Sequence, residues 1–323
     1  MSRVLVTTDY LVPGGEVDTL LRRHGHEIIY RPATRPRHRE EARALFDGVH
    51  GAIIASEPVT ADMLADATVL RVIARSGVGY DSIDVAAATD RGIRVCNTPG
   101  VNHDAVAEMT IALMLMSARR LTAIIDGVRA GGWPRDAGRE LRGTTLGIIG
   151  FGPSGRAVAT LATAFGMTVL VHTAHPDNAA TAVQFVDRDT VLNRADYLSL
   201  HTKTDDRTRR MIDASAFESM KPTAVLINTA RGSLVDEEAL VDALDSGAIA
   251  GAALDVLDAE PLPAESRLRG RDDVIVTSHL AGQTVEARSR AGLSAAADVI
   301  AVLGGPNHAI PSTNPEHAPK GPS

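Results

Sequence analysis

Short β-branched runs alternate with amphipathic stretches along most of this chain, which is the pattern of parallel sheets covered by helices on both faces. In the first part, strands are expected at residues 4–6, 52–55, 72–74 and 94–96, with helical periodicity at 15–24, 60–67 and 84–89 between them. Gly92 and Pro99-Gly100 punctuate the end of that series. One long apolar helix is expected over 105–128, followed by a Gly-Trp-Pro loop at 131–134. A second series then begins, with strands expected at 146–149, 169–171, 197–200, 224–227, 252–256 and 274–276. A last helix over 285–303 is expected to stop at Gly304-Gly305-Pro306, ahead of a frayed, Pro-rich tail. The fold class is therefore α/β.

Composition narrows the partners. A chain of 323 residues exceeds one ordinary core, so two domains are expected. With 33 Lys and Arg against 40 Asp and Glu, the net charge of -7 argues against nucleic acid, which selects an excess of basic residues. Cys96 is the single cysteine, which rules out an intrachain disulfide and a cysteine metal cluster. An apolar setting marks it as a buried, inert thiol. The start of the chain does not read as a signal peptide, and Glu108 interrupts the most apolar stretch, so a cytoplasmic protein without a membrane partner is expected.

The first chemical signal follows the expected strand at 146–149. Gly150-Phe151-Gly152-Pro153-Ser154-Gly155 runs straight into a helical pattern. In that context the first glycine makes a tight turn, the second admits a pyrophosphate to the backbone, and the third lets helix and strand pack closely. The helix N-terminus offers N–H groups to the phosphates. The following strand reaches Thr173 with no carboxylate to hold the ribose hydroxyls, so NAD and NADP both stay open. His172 and His175 have no further ligands near them in the sequence, and no metal is expected.

Ligands of open α/β sheets bind beyond the carboxyl ends of the strands. Three successive strand ends deliver Arg231, Glu260 and His279. A guanidinium can grip a carboxylate in a fork and polarise the adjacent carbonyl. An imidazole can give a proton to the carbonyl oxygen as hydride arrives, and a carboxylate can orient that imidazole. This is a working set for carbonyl reduction.

The chain resembles the D-isomer-specific 2-hydroxyacid dehydrogenases, the group that includes short-form phosphoglycerate dehydrogenases. The resemblance is carried by residues 74–81, Asn97-Thr98-Pro99-Gly100, residues 105–108, the glycine motif, residues 228–236, Ala253 to Val256 with Glu260-Pro261, and His279 with Gly282. It implies a Rossmann-type, doubly wound cofactor domain at 101–283. A discontinuous, flavodoxin-like α/β substrate domain would take 1–100 and 284–323, with catalysis between the two. It implies interconversion of a small 2-hydroxy acid and its 2-keto acid with Arg231, Glu260 and His279 as the catalytic trio. Ser76 and Gly77 would meet the substrate carboxylate through their amides, beside Arg231 and His279. The cofactor would be held by Gly150, Gly152, Pro153, Ser154, Gly155, Thr173, His201, Thr202, Thr229, Ala230, Arg231, Asp255, His279 and Gly282, with Asp255 at the nicotinamide carboxamide. A homodimer built on the long helix and Trp133 is implied as well. The rival readings are a phosphite- or formate-type dehydrogenase on the same scaffold and a non-enzymatic NAD(H)-sensing protein.

Four positions depart from the family pattern. Thr173 stands where Asp is common, Pro153 removes one N–H near the pyrophosphate, Lys203 replaces a frequent Pro, and Ser278 replaces the Pro before His279. The segment Ala55-Ser56-Glu57 carries no cation for a substrate phosphate, so 3-phosphoglycerate is expected to be a poor substrate. The chain length leads us to expect neither the regulatory domains of longer relatives nor their amino-acid feedback.

Overall fold

The computed structural model describes residues 1–304 other than 34, 36 and 178; the Pro-rich tail lies outside the described residues. The chain divides into two compact units, one taking Met1–Asn102 and the chain from Val285 onward, the other His103–Thr284.

The first unit is built on five parallel strands, β1 (Ser2–Val6), β2 (His26–Tyr30), β3 (Gly51–Ile54), β4 (Val72–Arg75) and β5 (Arg94–Asn97), in the order β2-β1-β3-β4-β5. The strand β2 has no counterpart in the sequence reading. It pairs only with β1, and an edge strand needs less continuous apolar character than a central one, so His26-Glu27 masked its period. One face of the sheet packs Leu5, Ile54 and Ile73 against Phe46 and Leu64. The other packs Val4, Ile53 and Val72 against Ala295, Ala296 and Val299 of the helix Val285–Gly304. The chain thus returns after its long excursion to cover the first sheet. A Cβ on Gly51 would lie 3.1 Å from both Val299 and Val72, so a small residue there sets how closely this helix sits on the strands.

The second unit carries seven parallel strands: β6 (Thr145–Ile149), β7 (Thr168–His172), β8 (Gln184–Phe185), β9 (Tyr197–Leu200), β10 (Val225–Asn228), β11 (Gly251–Leu254) and β12 (Val274–Val276). Their order, β12-β11-β10-β9-β6-β7-β8, reverses direction at β6, and cofactor sites form beyond the strand ends at such a reversal. The two-residue edge strand β8 is too short to show a period in the sequence. The helix expected over 105–128 is instead two, His103–Ala118 and Leu121–Arg129, because Arg120 adopts a left-handed conformation with φ 50°. The first is buried against the sheet through Ile111, Leu113 and Met114, whereas no side chain of the second is fully buried. The polar pair Arg119-Arg120 marks that change of environment. The final helix includes Gly304 rather than stopping before it. Among the described residues, no helix is long and apolar enough to cross a membrane.

Candidate active site

The glycine motif has the geometry its sequence implies. Gly150 leaves β6 with φ 96°, and a Cβ there would lie 2.4 Å from the His201 carbonyl oxygen. Gly155 sits on the first turn of the helix Pro153–Ala164, where a Cβ would lie 2.4 Å from the Gly150 oxygen. Gly152, the N-cap, differs from both: a Cβ there would meet no protein atom within 4 Å. Two glycines therefore allow the chain to pack on itself, and the third leaves open space at a helix N-terminus, where a dinucleotide's diphosphate fits. Pro153 occupies the first helical position, whose missing N–H costs the helix nothing.

His201 lies beneath this turn. Its amide donates to the Ile149 carbonyl at 2.7 Å, and its Nε2 is 2.9 Å from the Ser199 hydroxyl. Burial away from water penalises the imidazolium and lowers the pKa to about 4, so the ring is neutral at physiological pH. Its side chain is thus turned into the protein, and what it contributes to the glycine turn is backbone. Beyond β7, the Thr173 hydroxyl accepts from the His175 amide at 3.2 Å. Arg156, from the helix that begins at Pro153, pairs with Asp177 at 2.5 Å and stacks over Phe151. A cation therefore stands close to the loop that follows β7, something the sequence around Thr173 does not reveal.

The three nominated strand ends are linked by specific contacts. Past β10, buried Asn228 accepts from the Ala230 amide at 3.1 Å and donates to the Arg231 carbonyl at 2.8 Å, which shapes the loop that presents Arg231. The Arg231 guanidinium donates to the Ala230 carbonyl at 2.7 Å. Gly232 comes next, and a Cβ on it would lie 2.0 Å from the Leu257 carbonyl carbon, so the loops after β10 and β11 meet at van der Waals distance only because this residue is glycine. In the second loop, Glu260 Oε1 accepts from the Leu257 amide at 3.0 Å while Oε2 lies 2.9 Å from His279 Nδ1. His279 itself has φ 58° and is half exposed, which leaves Nε2 available to a ligand.

Asp255 has a role that sequence reasoning missed. Almost fully buried, it accepts from the Thr277 hydroxyl at 2.5 Å and from the Leu280 and Ala281 amides at 2.8 and 2.7 Å. The His279 amide donates to its backbone carbonyl at 2.8 Å. Both carboxylate oxygens thus hold the loop that carries His279, which explains how that residue stays in a left-handed conformation. The Thr229 hydroxyl, 3.1 Å from that of Thr110, ties the Arg231 loop to the helix His103–Ala118. Thr202, Ala230 and Gly282 line the same strand ends, partly exposed.

In the first unit, the two amides nominated for a carboxylate are already engaged. Ser76 N–H donates to the Ile54 carbonyl at 2.8 Å, and Gly77 N–H donates to the Thr98 hydroxyl at 2.9 Å. Among the described residues, the next two amides, of Val78 and Gly79, meet no protein acceptor. Cys96 is fully buried, and burial pushes its thiol up to about 12, which keeps it inert. No group of three or more metal-binding side chains occurs among the described residues.

Residues 111–281 match the model of the D-isomer specific 2-hydroxyacid dehydrogenase NAD-binding domain. The hydroxypyruvate reductase of Thermotoga maritima is 39% identical over 250 residues, covering 76% of this chain and 82% of that protein. The glyoxylate reductase of Thermofilum pendens is 38% identical over 289 residues, covering 86% and 85%. Among solved structures, the TT0316 protein of Thermus thermophilus superposes with a TM-score of 0.86 at 38% identity, over 94% of this chain and 97% of that one. An acyclic imino acid reductase solved with NADPH and D-Arg superposes with a TM-score of 0.82 at 29% identity, over the same 94% and 97%. With the glycine turn and the linked strand ends, these likenesses make the chain an NAD(P)-dependent enzyme that belongs to the D-isomer-specific 2-hydroxyacid dehydrogenases.

Proposed function

We propose that this enzyme reduces a small, unphosphorylated 2-keto acid of the glyoxylate or hydroxypyruvate class to the D-2-hydroxy acid, with His279 as the proton donor. The observation that carries the reading is the 2.9 Å contact between Glu260 and His279 Nδ1. It orients the ring so that Nε2 gives its proton to the carbonyl oxygen, and takes it back in the oxidation direction. Arg231 binds the substrate carboxylate and polarises the carbonyl. Within the first unit, among the described residues, the Val78 and Gly79 amides meet no protein acceptor, whereas those of Ser76 and Gly77 are used inside the protein. When bound, the nicotinamide supplies the hydride, and the glycine turn with the 228–231 and 277–282 loops holds the cofactor.

The relatives named as hydroxypyruvate and glyoxylate reductases support the substrate class and favour catalysis over nucleotide sensing. Selection against phosphorylated acids rests on the 55–57 segment: the cation that meets Glu57 is Arg37, already engaged by that carboxylate and by the Arg31 carbonyl. We also propose a homodimer, since the helix Leu121–Arg129 has no fully buried side chain, Ile125 and Val128 on it are exposed, and Trp133 is 79% exposed.

The test is a panel of glyoxylate, pyruvate, hydroxypyruvate, branched keto acids and 3-phosphohydroxypyruvate, assayed with NADH and NADPH and with chiral analysis of the product. Turnover of the small unphosphorylated acids to the D-product is expected. Preferred turnover of the phosphorylated acid would sink the substrate class, and an L-product would sink the stereochemistry. Thr173, directly after β7, is not a carboxylate that would exclude a 2′-phosphate, so both cofactors are expected to work, and Thr173→Asp should select against NADPH.

A further inference from the structure

Between Arg231 and the helix Glu237–Ser246, the chain closes twice on the loop that carries Glu260. At Gly232 a Cβ would run into the Leu257 carbonyl and the Asp258 nitrogen, so backbone meets backbone there. At Glu237 the contact is made by a side chain, whose Oε1 accepts from the Asp258 amide at 2.6 Å. The preceding amide, of Leu257, donates to Glu260 itself at 3.0 Å. Two neighbouring amides of one loop are therefore each held by a glutamate, and Glu260 also meets His279 Nδ1 at 2.9 Å.

Glu237 opens its helix, where any acidic residue favours the helix dipole. That role does not account for it. Glu238 stands in the same first turn, exposed, and supplies the same charge. Glu237 is instead half-buried and reaches a residue 21 positions further on. Among the described residues, the ion pairs of this neighbourhood run from Arg210 to Asp236 at 3.7 Å and to Asp258 at 3.9 Å, which leaves Glu237 without a cation. Burial first, then the charges of Asp258 and Glu260, push the Glu237 carboxyl above the usual carboxylate range, against the pull of the Asp258 amide. The ionised side chain therefore lowers the stability of the fold, and it stays as a negative charge beside the Glu260–His279 pair.

A keto-acid reduction needs its imidazole protonated when hydride arrives. Negative charge behind the ring favours the imidazolium, and a carboxylate at the neighbouring amide adds to what Glu260 provides. The same carboxylate holds the peptide segment from which Glu260 extends. We propose that Glu237 is a positioning residue for this reduction: it anchors the Glu260 loop through the Asp258 amide and contributes charge that keeps His279 in its proton-donating form. The inference rests on His279 being the proton donor.

The experiment records kcat and KM for glyoxylate and hydroxypyruvate reduction across pH, beside melting temperatures, for three variants of the full-length enzyme. Glu237→Gln keeps an acceptor for the Asp258 amide and loses the charge, Glu237→Ala loses both, and Glu238→Gln removes a charge from the same helical turn. Glu237→Gln is expected to move the midpoint of the alkaline limb of kcat/KM down by roughly 0.5–1 pH unit, with a melting temperature equal to or above that of the wild type. Glu238→Gln should leave the midpoint where it is. Glu237→Ala should in addition lower kcat by roughly ten-fold or more, with a smaller change in KM, because Glu260 loses its anchored loop. A Glu237→Gln profile that coincides with the wild type would overturn the proposal. So would a Glu237→Ala enzyme of native kcat and lower melting temperature, which would leave Glu237 a stabilising residue alone. His279→Ala separates this inference from the reading beneath it. If that variant keeps a near-native rate, the proton donor is wrong and the inference falls with it; if it collapses while the Glu237 variants match the wild type, only the inference fails.

Discussion

The Glu260 carboxylate reaches the His279 ring at 2.9 Å with one oxygen and the Leu257 amide at 3.0 Å with the other, so a single side chain ties the imidazole to its own loop. That loop in turn touches the Arg231 loop where Gly232 meets Leu257. His279→Ala is expected to lower kcat by roughly 10²–10⁴-fold, the usual worth of a positioned proton donor, with NAD(H) affinity nearly intact. Glu260→Gln keeps the shape of the side chain and should lose less rate than His279→Ala. Steady-state kinetics beside cofactor titrations will separate the two effects, and a His279→Ala enzyme of near-native rate would remove the proposed proton donor.

Asp255 supports the same ring from below. Replacing it with Asn leaves one acceptor where the loop 277–281 now uses two charged oxygens. We expect a stability loss of about 1.5–3 kcal/mol, in the range of hydrogen bonds to charged groups, together with a fall in kcat. Urea denaturation alongside initial-rate measurements will show both. A variant of native stability with weakened cofactor binding alone would restrict Asp255 to the nicotinamide.

Gly152 offers a separation of folding from binding. Its backbone, at φ -75° and ψ -168°, suits any residue, and an added Cβ would touch no protein atom. Gly152→Ala should therefore fold with a nearly unchanged melting temperature while weakening NAD(H) roughly ten-fold or more, since the methyl takes the space a pyrophosphate needs. Fluorescence titration of NADH will read the affinity; native binding would mean that the diphosphate lies elsewhere.

Burial of His201 makes a prediction about acid. Its pKa falls from 6.5 to about 4 on folding. Below pH 6.5 the unfolded chain takes up a proton that the folded protein refuses, so stability falls as pH drops through the window from 6.5 to about 4. The slope from this residue approaches about 1.4 kcal/mol per pH unit, and above the window it contributes none. His201→Gln should flatten the pH dependence of the unfolding free energy between pH 6.5 and 4. An equal slope in both proteins would show that the ring is protonated when folded.

Much of this enzyme is legible in the order of its residues. Buried parallel strands appear as apolar runs, a glycine triplet between strand and helix announces a dinucleotide, and Arg231, Glu260 and His279 stand at successive strand ends, because parallel α/β topology sends every such end the same way. All of these are local patterns. The edge strand β2 escaped because half of its surface needs no apolar cover. The break at Arg120 escaped because helix periodicity does not record a single left-handed residue. Other features depend on residues far apart in sequence: Asp255 clamping residues 277–281, His201 turned towards Ser199, the Ser76 and Gly77 amides spent on Ile54 and Thr98, and Arg37 brought to Glu57. Hydrogen bonds are chosen by which groups folding brings within about 3 Å. Only the tertiary structure decides that distance, and with it which polar groups remain for a ligand.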